Sequence, residues 1–183
     1  MPNHITTIIE PIEIRQRESL LIKKIKKEMD VDIIEGEKTN REKHPEVFDF
    51  NQLLPMPQGI IETKGQAVGH PAWYDWRVEN WGTKWNAYDV EYSPYDNDNE
   101  KNEEFVGIGY IKFNTAWSCP KPIIEILSKR YPKITFEVKY ADEDLGYNLG
   151  QYWIKNGEII DETYFINGTD EAELFARRVR DYS

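Results

Sequence analysis

The chain has 183 residues, 39% hydrophobic and 13% aromatic, which is enough for one domain with a ring-rich core and excludes intrinsic disorder. Its formal net charge of −10 repels nucleic-acid backbone and anionic lipid, so nonspecific nucleic-acid binding and membrane contact are not expected. The single cysteine excludes an internal disulfide and a cysteine-held metal site within one chain. Because the sequence shows neither a signal-peptide pattern nor a long apolar run, we expect a cytoplasmic protein.

We predict that residues 1–70 form a strand and a helix, which add to a larger C-terminal part, residues 71–183. The two parts are expected to form one compact unit. Ile5–Ile9 is rich in β-branched residues and predicts a strand. Gln16–Met29 predicts an amphipathic helix, because apolar residues recur at helical spacing and lysines fall on the opposite face. Glu35–Glu46 is a charged loop, and two prolines make Leu53–Gly59 a connector without regular structure.

The aromatic block, Trp73–Asp89, holds four of the six tryptophans. In a structural interpretation its rings pack under the sheet, and Gly82 allows a tight turn between them. In a functional interpretation the rings stack a planar ligand or anchor a peptide, since Trp, Tyr and Arg dominate binding hot spots. The structural interpretation is favoured, with recognition confined to the polar edge of the block. The candidate binding residues here are Arg77, Asn80, Trp81, Lys84 and Trp85, joined by Trp117 from a neighbouring strand end.

The C-terminal part predicts elements in the order β, β, α, β, β, β, α. An acidic loop, Ser93–Glu104, separates the first two strands. Ser118 and Thr169 are candidate N-caps of the two helices, and Asn156-Gly157 is a strong hairpin signal. The predicted strands are Ala87–Tyr92, Phe105–Phe113, Ile134–Tyr140, Tyr147–Ile154 and Glu158–Ile166, and the predicted helices run from Ser118 to about Arg130 and from Thr169 to about Tyr182.

This order favours an α+β protein in which helices cover one face of an antiparallel sheet. A split β-α-β arrangement fits the strand, helix and strand around the helix that ends near Arg130.

Five stretches of the sequence carry a resemblance to a known family. They are Met1–His4 (MPNH), Phe48–Pro57 (FDFNQLLPMP), Glu79–Tyr88 (ENWGTKWNAY), Phe113–Ser118 (FNTAWS) and Tyr140–Gly150, which begins YADE. Over most of its length the chain resembles a family of phage and plasmid proteins with a C-terminal ferredoxin-like domain, the YubB type. The resemblance implies this fold and a mobile-element origin. It implies no reaction, because a fold does not define a function.

Two groups of carboxylates lie in predicted loops. Asp96, Asp98 and Glu100 have the opening spacing of a calcium-binding loop. The match then fails, because Lys101 stands where glycine is required and Gly107 where the bidentate glutamate is required. This group is therefore interpreted as a solvated loop or an acidic patch that can meet a basic partner. The second group is Asp142, Glu143 and Asp144. The adjacent carboxylates of the second group could serve in acid/base work or bind a metal ion, but a turn with ordinary surface charges is the favoured interpretation.

The histidines and the cysteine form no catalytic or metal-binding pattern. His4, His44 and His70 lack the spacing of a zinc site. Cys119 could act as a nucleophile only beside a histidine, for which His70 is the least unsuitable candidate. We therefore predict no cofactor, no metal ion and no catalytic residue.

The leading hypothesis is a non-enzymatic binding protein of a phage or other mobile element. It would use acidic loops and an aromatic edge to bind a basic protein of the host or of the element, for example as an inhibitor of a host defence nuclease of the anti-restriction or anti-CRISPR type. The alternative is a small-molecule or nucleotide site, with or without catalysis, at the aromatic block. A third hypothesis, sequence-specific nucleic-acid binding, requires one basic face formed by Lys23–Lys27 and Arg177–Arg180.

Overall fold

The structure is a computed structural model that describes residues 3–12, 21–29, 47–61, 72–93 and 109–181. Its strands are β1 (His4–Ile12), β2 (Tyr88–Ser93), β3 (Tyr110–Ala116), β4 (Thr135–Asp142), β5 (Gly150–Lys155) and β6 (Glu158–Thr163). Its helices are α1 (Leu21–Met29), α2 (Gln58–Ile61), α3 (Ala72–Trp81), α4 (Lys121–Arg130) and α5 (Asp170–Arg180), and a 3-10 turn covers Phe50–Gln52. The six strands form one antiparallel sheet in the order β2-β3-β1-β4-β5-β6. This confirms the predicted α+β class.

The N-terminal strand β1 lies in the middle of the sheet, between β3 and β4. His4 pairs with Ala116 of β3, and Ile5 pairs with Asp142 of β4. Because β1 is antiparallel to both neighbours, β3 and β4 are parallel to each other, and α4 connects them. This is the predicted split β-α-β arrangement, with β1 filling the split. The proposed boundary near residue 70 falls within residues 62–71, outside the described part of the chain, and stays a prediction.

One face of the sheet carries most of the core. Ile9 of β1 and Phe113 of β3 lie there in a cluster with the apolar sides of α1 and α4. The cluster is rich in rings, as the composition indicates: Phe48 lies 5.1 Å from Phe113, and Phe50 lies 5.6 Å from Trp81, between ring centres. Trp81, the last residue of α3, therefore brings this helix into contact with the core.

The C-terminal helix α5 packs against the opposite face. Ala176 and Val179 of α5 meet Ile8 of β1 and Ala141 of β4. Ile8 points away from its neighbour Ile9, because successive residues of a strand face opposite sides of the sheet. Helices therefore cover both faces, whereas the sequence favoured one. An amphipathic pattern shows that a helix has a buried side, but it does not show which face of the sheet that side meets.

Turn and cap residues explain two of the correctly predicted elements. Asn156 and Gly157 join β5 to β6 with φ angles of 51° and 80°, the pair of positive φ angles that a two-residue hairpin of type I′ requires. Thr169 caps α5, because its side chain accepts a hydrogen bond from the backbone N–H of Ala172 at 3.3 Å. Both signals act over two or three residues, which is why the sequence shows them directly.

The aromatic region differs from the prediction in two ways. The helix α3 occupies most of the first half of the aromatic block, where no helix was predicted. Ser118 does not cap α4: its hydroxyl donates to the carbonyl oxygen of Gly82, and Pro120 is the N-cap. The loops at Glu35–Glu46 and after Ser93 lie outside the described residues. Among the described helices, none combines the length and apolar character needed to cross a bilayer.

Candidate functional site at one end of the sheet

Four strand ends meet at one end of the sheet and position the candidate site. β1 and β2 begin there, and β3 and β4 end there. The aromatic block is attached to this end by Thr83, whose hydroxyl donates to the carbonyl oxygen of Ala116 at 2.7 Å, and by the bond from Ser118 to Gly82. Gly82 has a φ of 76°, which side chains disfavour, and a Cβ there would lie 2.8 Å from Pro122. The turn after α3 is therefore locked against the β3–α4 connection.

We name the cluster of Tyr74, Lys84, Trp85 and Trp117 the tryptophan patch. The ammonium nitrogen of Lys84 lies 5.0 Å from the ring centre of Trp117, 5.4 Å from that of Trp85 and 5.8 Å from that of Tyr74. Each contact is a cation–π attraction of about 0.5–1 kcal/mol at a partly exposed site. Three predicted binding residues thus come together, and Tyr74, which the sequence did not single out, joins them.

Trp117 is held at the surface in an unusual backbone conformation. Its φ is 71°, in the left-handed region that costs a bulky residue about 1–3 kcal/mol, and its side chain is 42% exposed. Its backbone N–H donates to the carbonyl oxygen of Asn3 at 2.9 Å, and its own carbonyl accepts from Asn148 Nδ2 at 2.9 Å. The sequence contains no signal for this geometry, because glycine or asparagine is the usual residue at positive φ.

Asp142 anchors this arrangement from the end of β4. Its carboxylate is only 4% exposed. It accepts hydrogen bonds from Asn3 Nδ2 at 3.0 Å, from Asn148 Nδ2 at 2.9 Å and from the backbone N–H of Asp144 at 2.9 Å. Asn148 therefore links Asp142 to the carbonyl of Trp117. Since three donors already occupy the carboxylate, Asp142 supports the site and does not face a partner.

Arg77 lies between two rings of its own helix region. Its guanidinium carbon is 5.1 Å from the ring centre of Trp73 and 4.9 Å from that of Trp81, which are one helical turn away on either side. Burial lowers the pKa of Arg77, and the charge of Asp49 opposes this effect. Among the residues that the structure describes, none accepts a hydrogen bond from the buried Nε of Arg77. Arg77 is therefore held by rings more than by polar contacts.

Trp81 and Asn80 belong to the framework of the block. Trp81 is fully buried, and its indole nitrogen donates to the carbonyl oxygen of Leu54 at 3.0 Å. The side-chain amide of Asn80 donates to the carbonyl oxygen of Trp76 at 2.8 Å, one turn back in α3. Both predicted binding residues thus make contacts inside the protein, and Trp81 has no surface to offer a partner.

The other predicted acidic residues lie at the surface or beyond the described chain. Glu143 and Asp144 are exposed, and the backbone N–H of Glu143 donates to the carbonyl oxygen of His4 at 3.0 Å, which places them at the same sheet end as the tryptophan patch. Within the described residues, no three His, Cys, Asp or Glu side chains are placed to hold a metal ion. The remaining candidates, Asp96, Asp98 and Glu100, fall outside the described residues and stay predictions.

A histidine–tyrosine pair that the sequence did not indicate borders the site. The hydroxyl of Tyr88 shares a hydrogen bond with Nδ1 of His4. Burial and the charges of Asp89 and Glu143 raise the pKa of Tyr88 to about 12, against the opposing charge of Arg180. The phenol therefore stays protonated near neutral pH and cannot serve as a general base. The two residues are 84 positions apart, so no local pattern could pair them.

Cys119 is buried and chemically quiet. Burial raises the pKa of its thiol to about 12, while the hydroxyl of Tyr152, 4.0 Å from the sulfur, opposes the shift. A nucleophilic cysteine needs the opposite shift, toward the thiolate. His70, the histidine named as its least unsuitable partner, lies outside the described residues.

The two basic runs lie on opposite faces of the sheet. The apolar side of α1 joins the core cluster of the main face, whereas α5 packs on the other face. Some of their charges are already paired within each helix, as Lys24 with Glu28 and Arg177 with Glu173, both at 3.9 Å. The runs therefore do not form the continuous basic face that the nucleic-acid hypothesis requires.

The sheet order, the split β-α-β unit and the helices together define an α+β protein of the ferredoxin-like type. A family model for the ferredoxin-like domain in Api92-like protein matches residues 81–181. The chain therefore belongs to this family, and the match begins after β1, although β1 lies in the middle of the sheet.

Among solved structures, the chain matches the crystal structure of a protein api92 from Yersinia pseudotuberculosis. The two share 15% sequence identity with a TM-score of 0.48, and the match covers 67% of this chain and 41% of that chain. The match thus spans less than half the length of that protein. No curated protein matches the chain.

Proposed function

We propose that the chain is a non-enzymatic binding protein that holds a protein partner at the tryptophan patch. The observation that carries the proposal is Trp117, a large ring that is 42% exposed while its backbone is strained. Such strain persists only where the surrounding structure enforces it, and it concentrates at functional sites. Burial of the whole ring would offset the strain, but Trp117 leaves much of its surface in water.

The chemistry around the patch suits a basic partner. The exposed part of the Trp117 ring can stack on an arginine or lysine side chain. Glu143 and Asp144 add exposed carboxylates at the same end of the sheet. The net charge of −10 would attract a basic protein over distances longer than a direct contact. We therefore assign recognition of the partner to the Trp117 ring together with the exposed carboxylates at the same end of the sheet.

We further propose that the chain belongs to a phage or another mobile element. Its partner would be a nucleic-acid-binding host protein, such as a defence nuclease. The acidic residues Asp96, Asp98 and Glu100 would add charge that imitates a nucleic-acid backbone. This further proposal is supported by the net charge and by the sequence motifs shared with phage and plasmid proteins. It implies action in the cytoplasm of the host cell.

Replacement of Trp117 by glycine tests the proposal, because glycine adopts the same φ without strain and removes only the ring. We expect the free energy of unfolding to stay within about 1 kcal/mol of wild type, since relief of strain offsets the loss of a half-buried ring. Retention of a basic protein from host lysate on the immobilised chain should be lost. For the wild type, retention should fall steeply by about 0.5 M salt, where charges are screened within a few ångströms.

The matched control is Asn156→Gly, which relieves positive φ in a turn distant from the patch. This variant should retain the partner as well as the wild type does. The proposal fails if Trp117→Gly also retains the partner fully, or if it lowers stability by more than about 2 kcal/mol, which would make the ring a packing element. Absence of any retained protein with folded wild type at low salt would count against it equally.

One observation favours the small-molecule alternative at the aromatic block. Within the described part of the chain the buried Nε of Arg77 has no hydrogen-bond partner, and a phosphate or carboxylate of a ligand could accept that hydrogen bond. Titration of ATP, GTP and NAD into the wild type, followed by tryptophan fluorescence, tests this alternative. Saturable quenching that is lost in Arg77→Lys would favour it, and no quenching by any of the three would remove this support.

A further inference from the structure

The edge strand β6 is open along its outer side. All six of its residues, Glu158–Thr163, are exposed, and it pairs only with β5 among the described residues. Protein edges are usually protected from further pairing by charged residues, proline, bulges or a covering element. β6 contains no lysine or proline, and its protection consists of three carboxylates and a bulge opposite β5, which would oppose an acidic strand more than a basic one. One backbone donor is already used, since the N–H of Glu162 bonds to the carboxylate of Asp161 at 2.9 Å.

Large apolar side chains accompany this open edge. Ile159 and Ile160 in β6 are 42% and 57% exposed, and Tyr164 and Ile166 just after it are 81% and 78% exposed. Exposed apolar residues are ordinary when single, but a group of them beside unpaired backbone marks an interaction surface. An added strand would cover these side chains while its main chain bonded to β6.

The charge of the region indicates which strand would fit. Between Lys155 and Arg177 the sequence contains no basic residue, and it contains six acidic ones: Glu158, Asp161, Glu162, Asp170, Glu171 and Glu173. Opposite charges on paired strands attract, and like charges directly opposite destabilise the pair. A second copy of β6 paired in parallel and in register would place acidic residues beside acidic residues. A basic strand would not.

We propose that β6 accepts a basic, extended segment of a partner protein as an additional antiparallel or parallel strand. Main-chain hydrogen bonds would supply affinity, and lysine or arginine side chains on one face of the added strand would lie beside Glu158 and Asp161, which share a face of β6. This inference goes beyond the proposed function, because it concerns a different surface and does not depend on the tryptophan patch.

The probe is a short synthetic peptide in which lysine and valine alternate, added to the full chain. We expect amide hydrogen exchange to slow by about tenfold or more at β6, because new main-chain bonds protect its outward N–H groups. A peptide with glutamate in place of lysine should not protect β6, nor should a lysine peptide whose alternate amides are N-methylated. Protection elsewhere in the sheet without protection of β6 would overturn the inference.

Two double variants with the same change of charge separate pairing at β6 from general attraction. Glu158→Gln with Asp161→Asn, two residues that share a face of β6 because they pair with Lys155 and Trp153 of β5, should weaken peptide binding about three- to tenfold. Glu143→Gln with Asp144→Asn, beside the tryptophan patch, should leave the exchange protection of the β6 amides within about twofold of wild type, as should Trp117→Gly, because this readout is local to β6. Equal weakening by both double variants would overturn the inference. A dimer of the free chain in sedimentation experiments that the peptide dissociates would also overturn it, since a second copy would then be the occupant.

Discussion

Replacement of Asp142 by asparagine tests whether this buried carboxylate holds one end of the sheet together. In the native protein, one carboxylate oxygen accepts from Asn3 Nδ2 and from the N–H of Asp144, and the other accepts from Asn148 Nδ2. An amide has nearly the same shape but carries a donor in place of one oxygen. If the remaining oxygen accepts from Asn3 and Asp144, the side-chain amide of Asn148 must face the NH2 group of the new asparagine, which is also a donor.

The expected loss of stability follows from these three bonds. A hydrogen bond to a charged group contributes about 1.5–3 kcal/mol, and charge-assisted bonds are about twice as strong as neutral ones. Losing one such bond and weakening two gives a loss of about 3 kcal/mol. A typical total stability is about 5–15 kcal/mol, so this loss would be large. With a urea dependence of about 2–3 kcal/mol per molar, the unfolding midpoint should fall by about 1 M.

Urea unfolding followed by circular dichroism and tryptophan fluorescence measures this loss. The matched control is Asp144→Asn, because the side chain of Asp144 is exposed and only its backbone N–H contacts Asp142. The control should stay within about 0.5 kcal/mol of wild type. A change of less than about 0.5 kcal/mol in Asp142→Asn, or an equal loss in the control, would refute the anchoring role of Asp142.

Three further expectations concern stability and reactivity. In urea unfolding, Gly82→Ala should lower the free energy of unfolding by about 1–2 kcal/mol or more, because Gly82 has a φ of 76°. Gly59→Ala has nothing within 4 Å of the added methyl group and should be neutral or stabilising by up to about 1 kcal/mol. The reverse order of stabilities would contradict the turn geometry. Since burial raises the pKa of Cys119 to about 12, a disulfide reagent at about pH 8 should label it only after unfolding, and rapid labelling of the native protein would contradict its burial. Trp81→Phe should cost about 2–4 kcal/mol and Trp117→Phe under about 1 kcal/mol; equal losses would mean that both rings belong to the core.

Local signals in the sequence were sufficient for most of the elements but not for their arrangement. Asn156-Gly157 predicted the last hairpin, because both residues tolerate the positive φ that the turn requires. The pairing of Ile5 with Asp142 and of His4 with Ala116 joins distant parts of the chain, and periodicity carries no information about such partners. The helix α3 was missed because rings surround it, so no clear apolar stripe marks one face.

The candidate site was predicted in part for a similar reason. Composition pointed to Lys84, Trp85 and Trp117, since a concentration of rings and cations is visible in one dimension. The support beneath them was not visible, because Asn148 and Asp142 act through hydrogen bonds to residues that are distant in sequence. The predicted acidic cluster consequently mixed one buried carboxylate with two exposed ones.

The central position of β1 has a consequence for how the chain folds during synthesis. Asn3 and Asp142 are 139 residues apart, so at about 5–20 residues per second the ribosome makes them roughly 7–28 s apart. Until β3 (Tyr110–Ala116) is made, the β-branched strand β1 has neither neighbour, and one of its edges stays unpaired until β4 follows. Pairings over such separations slow folding. A newly made chain should therefore depend on chaperones until β4 emerges, and a fragment of residues 81–181 should hold two half-sheets with a gap between them.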